Sequence, residues 1–271
     1  MAFLPNCRAW GLPRVTAGLG ALVIFFVLVV LLPKPASAFG EQGAFDPRIL
    51  MAGGTTQAAY PTAPARWSVE LMSRTSAHAR SRPTLVRASD PSLVDAPFVY
   101  WSGRDSLTAL TTSEISGLRR FFALGGTMLV DDAAASAEGD PGAFGRAAKR
   151  EIARVLPDTA PISLGKEHVL FRSFYLLNRA EGRVQGRKHV EAIVRNGQAQ
   201  VIFLENDLGG ALARGATGLW EHSPMPGGET QREQAVRLAV NVSMYVLCSD
   251  YKDDQVHAPF LMRRRTRIVE P

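Results

Sequence analysis

Residues 97–132, PFVYWSGRDSLTALTTSEISGLRRFFALGGTMLVDD, read as strand, loop, amphipathic helix, paired-glycine turn and a second strand that ends in two carboxylates. The apolar runs at 98–101 and 127–130 are short and rich in β-branched and aromatic residues, as strands covered on both faces are. Between them Thr112 or Ser113 can cap a helix whose Ile115, Leu118, Phe121 and Phe122 share one face. Strand, helix and strand in that order make one unit of an α/β fold with a mostly parallel sheet.

The flanking chain extends the pattern. Ile49, Leu50 and Met51 form a short strand that runs into glycines, and Pro64 suits the first turn of a helix that buries Trp67, Leu71 and Val69 or Met72. Residues 84–88 read as a strand, and Ser89-Asp90-Pro91 starts a turn or short helix. Residues 142–156 form a helix with Phe144, Ala147, Ala148, Ile152 and Val155 inward, stopped by Pro157. Residues 168–177 read as irregular or partly extended. Two strands, 189–195 and 200–205, flank Asn196-Gly197, a strong hairpin signal that gives the sheet an antiparallel section. A glycine- and proline-rich loop reaches residue 228, and a last helix spans 229–247.

The ends are different. Arg8 and Arg14 precede an apolar run over 15–32, and Ala36-Ser37-Ala38 supplies a small-residue cleavage pattern, so residues 1–38 read as a secretory signal. The run is about 18 residues, at the lower limit for crossing a bilayer, and an uncleaved inner-membrane anchor over 15–32 is the alternative. The expected organisation is signal peptide or anchor over 1–38, an α/β domain over 39–252 and a basic tail over 253–271, exported to the periplasm. Cys7 lies before the apolar run, where lipid modification does not act; Cys248, beside the apolar stretch 240–247, reads as a buried small hydrophobe. The net charge of +6 is concentrated at the ends, in Arg8, Arg14, Lys34, Arg263, Arg264, Arg265 and Arg267. Residues 39–260 carry equal numbers of basic and acidic side chains, which argues against a nucleic-acid groove.

In an open α/β sheet ligands bind at the carboxyl ends of the strands. Asp131, Asp132, Glu205 and Asp207, with Asn206 beside them, would fall at that edge if their strands run parallel. They could hold a hard cation through oxygen, or they could bond to loop N–H groups, as short acidic side chains do at strand ends. His168 lies near Arg172 and Tyr175 and could act as an acid or base or order its own loop. Trp101 ends a strand at the same edge, as a recognition platform or as core cover. Gly53-Gly54-Thr55-Thr56 could approach a phosphate but lacks the G-x-G-x-x-G and G-K-[ST] patterns, which argues against a nucleotide.

The succession PFVYWSG, SGLRRFFALGGTMLVDD, FGRAAKREIARVLPD, HVLFRSFY, VEAIVRNGQAQVIFLENDLGG and REQAVRLAVNVSMY resembles the uncharacterised bacterial domain-of-unknown-function 4159 family, over about residues 45–251. The resemblance implies an open flavodoxin-like sheet similar to that of class I glutamine amidotransferases, and the company of MoxR-type ATPases and von Willebrand factor A proteins. It implies no activity. The trehalose-utilisation branch of amidotransferase-like folds is also similar, but its strand ends in histidine where this one ends in Asp131-Asp132. An amidotransferase needs a cysteine on a sharp strand-to-helix turn with a histidine in reach, and no glycine-flanked cysteine is present. The sequence therefore suggests no catalytic residue, cofactor or metal ligand set. It suggests an exported, non-enzymatic domain that binds a protein partner in the cell envelope, through Trp101, Asp131, Asp132, His168, Asn206 and Asp207. The rival is a metal-assisted hydrolase or small-ligand-binding protein that uses the strand-end carboxylates.

Overall fold

The computed structural model describes residues 44–133 and 142–266, with side chains to residue 249. The signal or anchor over 1–38 and the last residues of the basic tail lie outside the described residues. Seven strands form one sheet: β1 (Arg48–Met51), β2 (Leu85–Arg87), β3 (Phe98–Gly103), β4 (Thr127–Asp132), β5 (Ile162–Leu164), β6 (Val190–Arg195) and β7 (Gln198–Leu204), in the spatial order β2-β1-β3-β4-β7-β6-β5. The pairs from β2 to β7 are parallel, whereas β6 runs antiparallel to both β7 and β5. The hairpin turns at Asn196 and Gly197, whose φ of 52° and 78° place both in the left-handed region that a two-residue turn requires.

The pleat sorts the sheet's side chains onto two faces. On one face Phe98, Tyr100, Leu129, Ile202 and Leu204 pack under helices α1 (Ala63–Arg74), α4 (Leu208–Leu212) and α5 (Gly228–Thr266). On the other Val99, Trp101, Met128, Val130, Val201 and Phe203 pack under α2 (Thr112–Ala123) and α3 (Ala143–Val155). The result is a helix–sheet–helix sandwich whose strands β3, β4 and β7 are buried on both faces, as their unbroken apolar runs predict.

Local chemistry explains the helix ends. The cap of α2 is Thr111, one residue before the expected pair: its hydroxyl accepts from Glu114 N while Glu114 bonds back to Thr111 N, a reciprocal capping box. In α1 the buried stripe follows the four-residue spacing Ala63, Trp67, Leu71, and the Trp67 indole donates to Ala239 O and Ser243 Oγ at 2.8 Å. Val69 and Met72 lie off that stripe and are exposed, contrary to expectation. Helix α5 continues past residue 247 to Thr266 and so takes in part of the expected tail. Cys248 is exposed on this helix rather than buried. Among the described residues no helix is long and apolar enough to cross a membrane.

One buried cation ties the sheet to its first crossover. Arg48, at 4% exposure, donates from Nη1 to Ser92 O at 2.9 Å and from Nη2 to Leu93 O and Ala96 O at 2.6 Å, holding the 3-10 turn Pro91–Asp95 that leads into β3.

Candidate functional site

Asp131 and Asp132 are adjacent in sequence but point to opposite faces of the sheet, since successive side chains on a strand alternate. Asp131 follows the parity of Leu129 and turns toward α4. Its Oδ1 accepts from Leu208 N at 2.9 Å, and its Oδ2 accepts from Gly209 N at 2.7 Å and from the Tyr100 hydroxyl at 2.7 Å. Asp132 turns toward α3, where its Oδ2 accepts from Gly145 N at 3.3 Å in the first turn. Each carboxylate thus occupies the positive end of a helix on its own face.

Asp207 caps α4 from the left-handed conformation (φ 56°), accepting from Gly210 N at 3.0 Å. Its other oxygen accepts from the Tyr60 hydroxyl at 3.0 Å and pairs with the Arg183 guanidinium. Asp131 and Asp207 together absorb the first three amides of α4, which explains why a five-residue segment beginning Leu-Gly-Gly is helical at all. Both carboxyls are fully buried. Burial, and then the charge of Asp207, pushes Asp131 up to about 7. Burial also raises Asp207, against the opposing pull of Arg183. Tyr100 is held well above its ordinary range by burial and by Asp131.

The six expected site residues do not form one surface. Trp101 is completely buried, edge-on to Phe144 at 5.5 Å, so its ring offers no platform; the parity that puts Val99 and Val130 in the core puts Trp101 there too. His168 caps its own 3-10 turn by accepting from Leu170 N at 3.2 Å, and packs on Tyr245, whose hydroxyl holds Ala199 N near the amino end of β7. It does not join the carboxyl-end group. Asn206 is buried, donating to Ala180 O at 3.3 Å and Arg187 O at 3.4 Å, while its side-chain oxygen has no partner among the described residues. Glu205 stands apart with Lys149 at 2.8 Å and Arg187 at 3.1 Å on the surface. Asp131 and Asp207 do come together, joined by Gly209, Tyr100, Tyr60 and Arg183. Among these Tyr100 had a legible signal, since it stands on β3 with the parity that faces α4.

A separate crevice of about 330 Å³ opens between the loops that follow β1 and β3. After β1 the chain crosses over through α1 to the edge strand β2; after β3 it crosses through α2, on the other face, to β4. The two connections diverge from this point, which is where open α/β sheets leave a cleft. Gly53 and Gly54 shape its wall with φ of 60° and 81°; a Cβ on Gly54 would stand 2.8 Å from Thr108 Oγ1.

A family model described as a domain of unknown function, DUF4159, matches residues 47–247. No curated protein matches the chain.

Proposed function

The chain belongs to the DUF4159 family, and from that premise we propose that it is an exported α/β domain that acts by binding a protein partner in a bacterial envelope assembly, with no catalysis of its own. The observation that carries this reading is the commitment of the strand-end carboxylates. A metal-assisted hydrolase needs their oxygens free to ligate a cation, whereas Asp131 and Asp207 spend theirs on backbone amides, two tyrosine hydroxyls and Arg183. The likeness to class I glutamine amidotransferases and the delivery of the domain to the periplasm by residues 1–38, as a cleaved signal or an anchor over 15–32, belong to the same proposal.

The contact surface proposed is the short edge strand β5 and the segment after it. Ile162 on β5 and Val169, Phe174 and Leu176 in the segment after it are exposed, Leu176 at 84%, and large apolar side chains left in water are surface that a protein partner would cover. The family resemblance supplies MoxR-type ATPases and von Willebrand factor A proteins as candidates. Purified full-length chain mixed with each candidate should form a complex on size exclusion, and the double variant Phe174→Ser, Leu176→Asp should lose it while keeping its thermal stability. No complex with either protein, or one indifferent to the double variant, refutes the proposal.

A further inference from the structure

We propose that the crevice between the loops after β1 and β3 binds a small hydroxylated anion, with the chemistry of a sugar phosphate or sugar acid and Arg104 as its charge partner. The inference is independent of the protein-binding proposal, since the β5 surface takes no part in it.

Four features point to this ligand class. First, the crevice stands where the chain connections leave the sheet on opposite faces, the position at which such folds bind ligands. Second, its volume of about 330 Å³ is at the small end for ligand pockets, suited to a monosaccharide carrying one anionic group. Third, it is rich in donors. Gly53 N bonds to Glu114 at 3.1 Å, Thr55 N to Ala52 O at 3.1 Å and Thr108 N to Gly53 O at 3.0 Å, but the amides of Gly54, Thr56, Gln57, Asp105 and Ser106 have no protein acceptor among the described residues. Amides without a protein acceptor are donors that an anion at the crevice can use. Fourth, Arg104 lines the crevice with its guanidinium stacked 4.6 Å over the Tyr60 ring, and no carboxylate among the described residues pairs with it. The stack on Tyr60, together with a hydrogen bond to that side chain, limits the conformations of the guanidinium, whose charge no described carboxylate neutralises.

The rest of the lining sets the remainder of the ligand. The side chains of Thr55, Thr56, Gln57 and Ser106 both donate and accept, matching sugar hydroxyls that inorganic phosphate lacks, and Asp105 can accept from a hydroxyl. The buried Phe144 ring closes the floor against Gly103, where a Cβ would collide with it. A glucose-sized body with one negative group therefore fits better than either inorganic phosphate or neutral glucose.

The test is isothermal titration of the full-length chain with glucose 6-phosphate, glucuronate, inorganic phosphate and glucose. At least one of the two anionic sugars should bind with Kd of about 1 mM or tighter, and more tightly than phosphate or glucose. The tighter of the two identifies the anionic group. Arg104→Gln should weaken that binding by about tenfold or more, as loss of a charge-assisted hydrogen bond does. Arg120→Gln, on the exposed face of α2, should leave it unchanged. Because Arg104 is exposed, its replacement should leave the melting temperature intact. The proposal is overturned if neither anionic sugar saturates, if glucose or phosphate binds as tightly, or if Arg104→Gln leaves the Kd unchanged.

Discussion

Replacing Gly209 with alanine tests whether the carboxyl-end group is a tightly packed structural clasp. A Cβ at this position would stand 2.5 Å from the Tyr100 hydroxyl, 2.8 Å from Tyr60 Cδ2 and 3.2 Å from Asp131 Oδ2. The methyl must displace the Tyr100 hydroxyl from Asp131. Overpacking costs about 1–3 kcal/mol, and loss of a hydrogen bond to a charged group about 1.5–3 kcal/mol. Against this, alanine gains about 1 kcal/mol over glycine in a helix. The net expectation is a loss of about 2–4 kcal/mol, or about 5–15 °C in melting temperature for a domain of this size. Urea and thermal unfolding measure both. In a Tyr100→Phe background the nearest obstructing atom is gone and the hydrogen bond is already lost, but the Tyr60 ring still stands 2.8 Å away. The alanine should then cost less than in wild type, about 0–2 kcal/mol. Gly165→Ala is the control: nothing lies within 4 Å of its Cβ, and the substitution should be neutral or stabilise by up to about 1 kcal/mol. An unchanged Gly209→Ala variant, or an equal cost in both backgrounds, refutes the reasoning.

Three further outcomes follow from other parts of the fold. Since burial and Asp207 raise Asp131 to about 7 in the folded state, above its ordinary 3.8, the folded chain keeps a proton that the unfolded chain releases. This contribution is complete below the unfolded value and is lost as pH rises through the folded one, by up to about 1.4 kcal/mol per pH unit. Urea unfolding at pH 5 and pH 7.5 should thus show wild type losing stability relative to Asp131→Asn; a constant difference would contradict it, and His168, common to both proteins, cancels. Arg48→Met strands the carbonyls of Ser92, Leu93 and Ala96 and should cost about 3 kcal/mol or more, read as a fall in urea midpoint; a change below about 1 kcal/mol would refute it. Cys248, exposed on α5, should be alkylated in the native protein, as peptide mass mapping would show, and protection until unfolding would place it in the core instead.

What the sequence revealed divides along physical lines. Short unbroken runs of β-branched and aromatic residues, the mark of strands buried on both faces, make β3, β4 and β7 legible, and the left-handed pair Asn196-Gly197 makes the hairpin legible. Strand β5 is not, because three residues, two of them exposed, carry no period. Helix α4 reads as a loop because glycines discourage helix; it forms because carboxylates from β4 and from its own cap satisfy its amides. The pleat of β4 separates Asp131 from Asp132, so neighbours in sequence reach different helices. Asp131 and Asp207 both read as strand-end carboxylates and meet at α4, but Tyr60 lies 147 residues from Asp207 and no local pattern marks it as a partner. Cys248 reads as buried from the apolar stretch beside it, yet a helix with an apolar stretch still has an outer face, and Cys248 lies on it.

The most direct test of the account is a thermal-unfolding scan of the full-length chain with and without Mg²⁺, Ca²⁺, Mn²⁺ and Zn²⁺. Because Asp131 and Asp207 are committed to backbone amides, tyrosines and Arg183, no cation should raise the melting temperature, while Asp131→Asn should lower it with or without cation. A saturable rise with any of the four, as ligand linkage requires, abolished by Asp131→Asn, would contradict the account and make the carboxyl-end group a metal site.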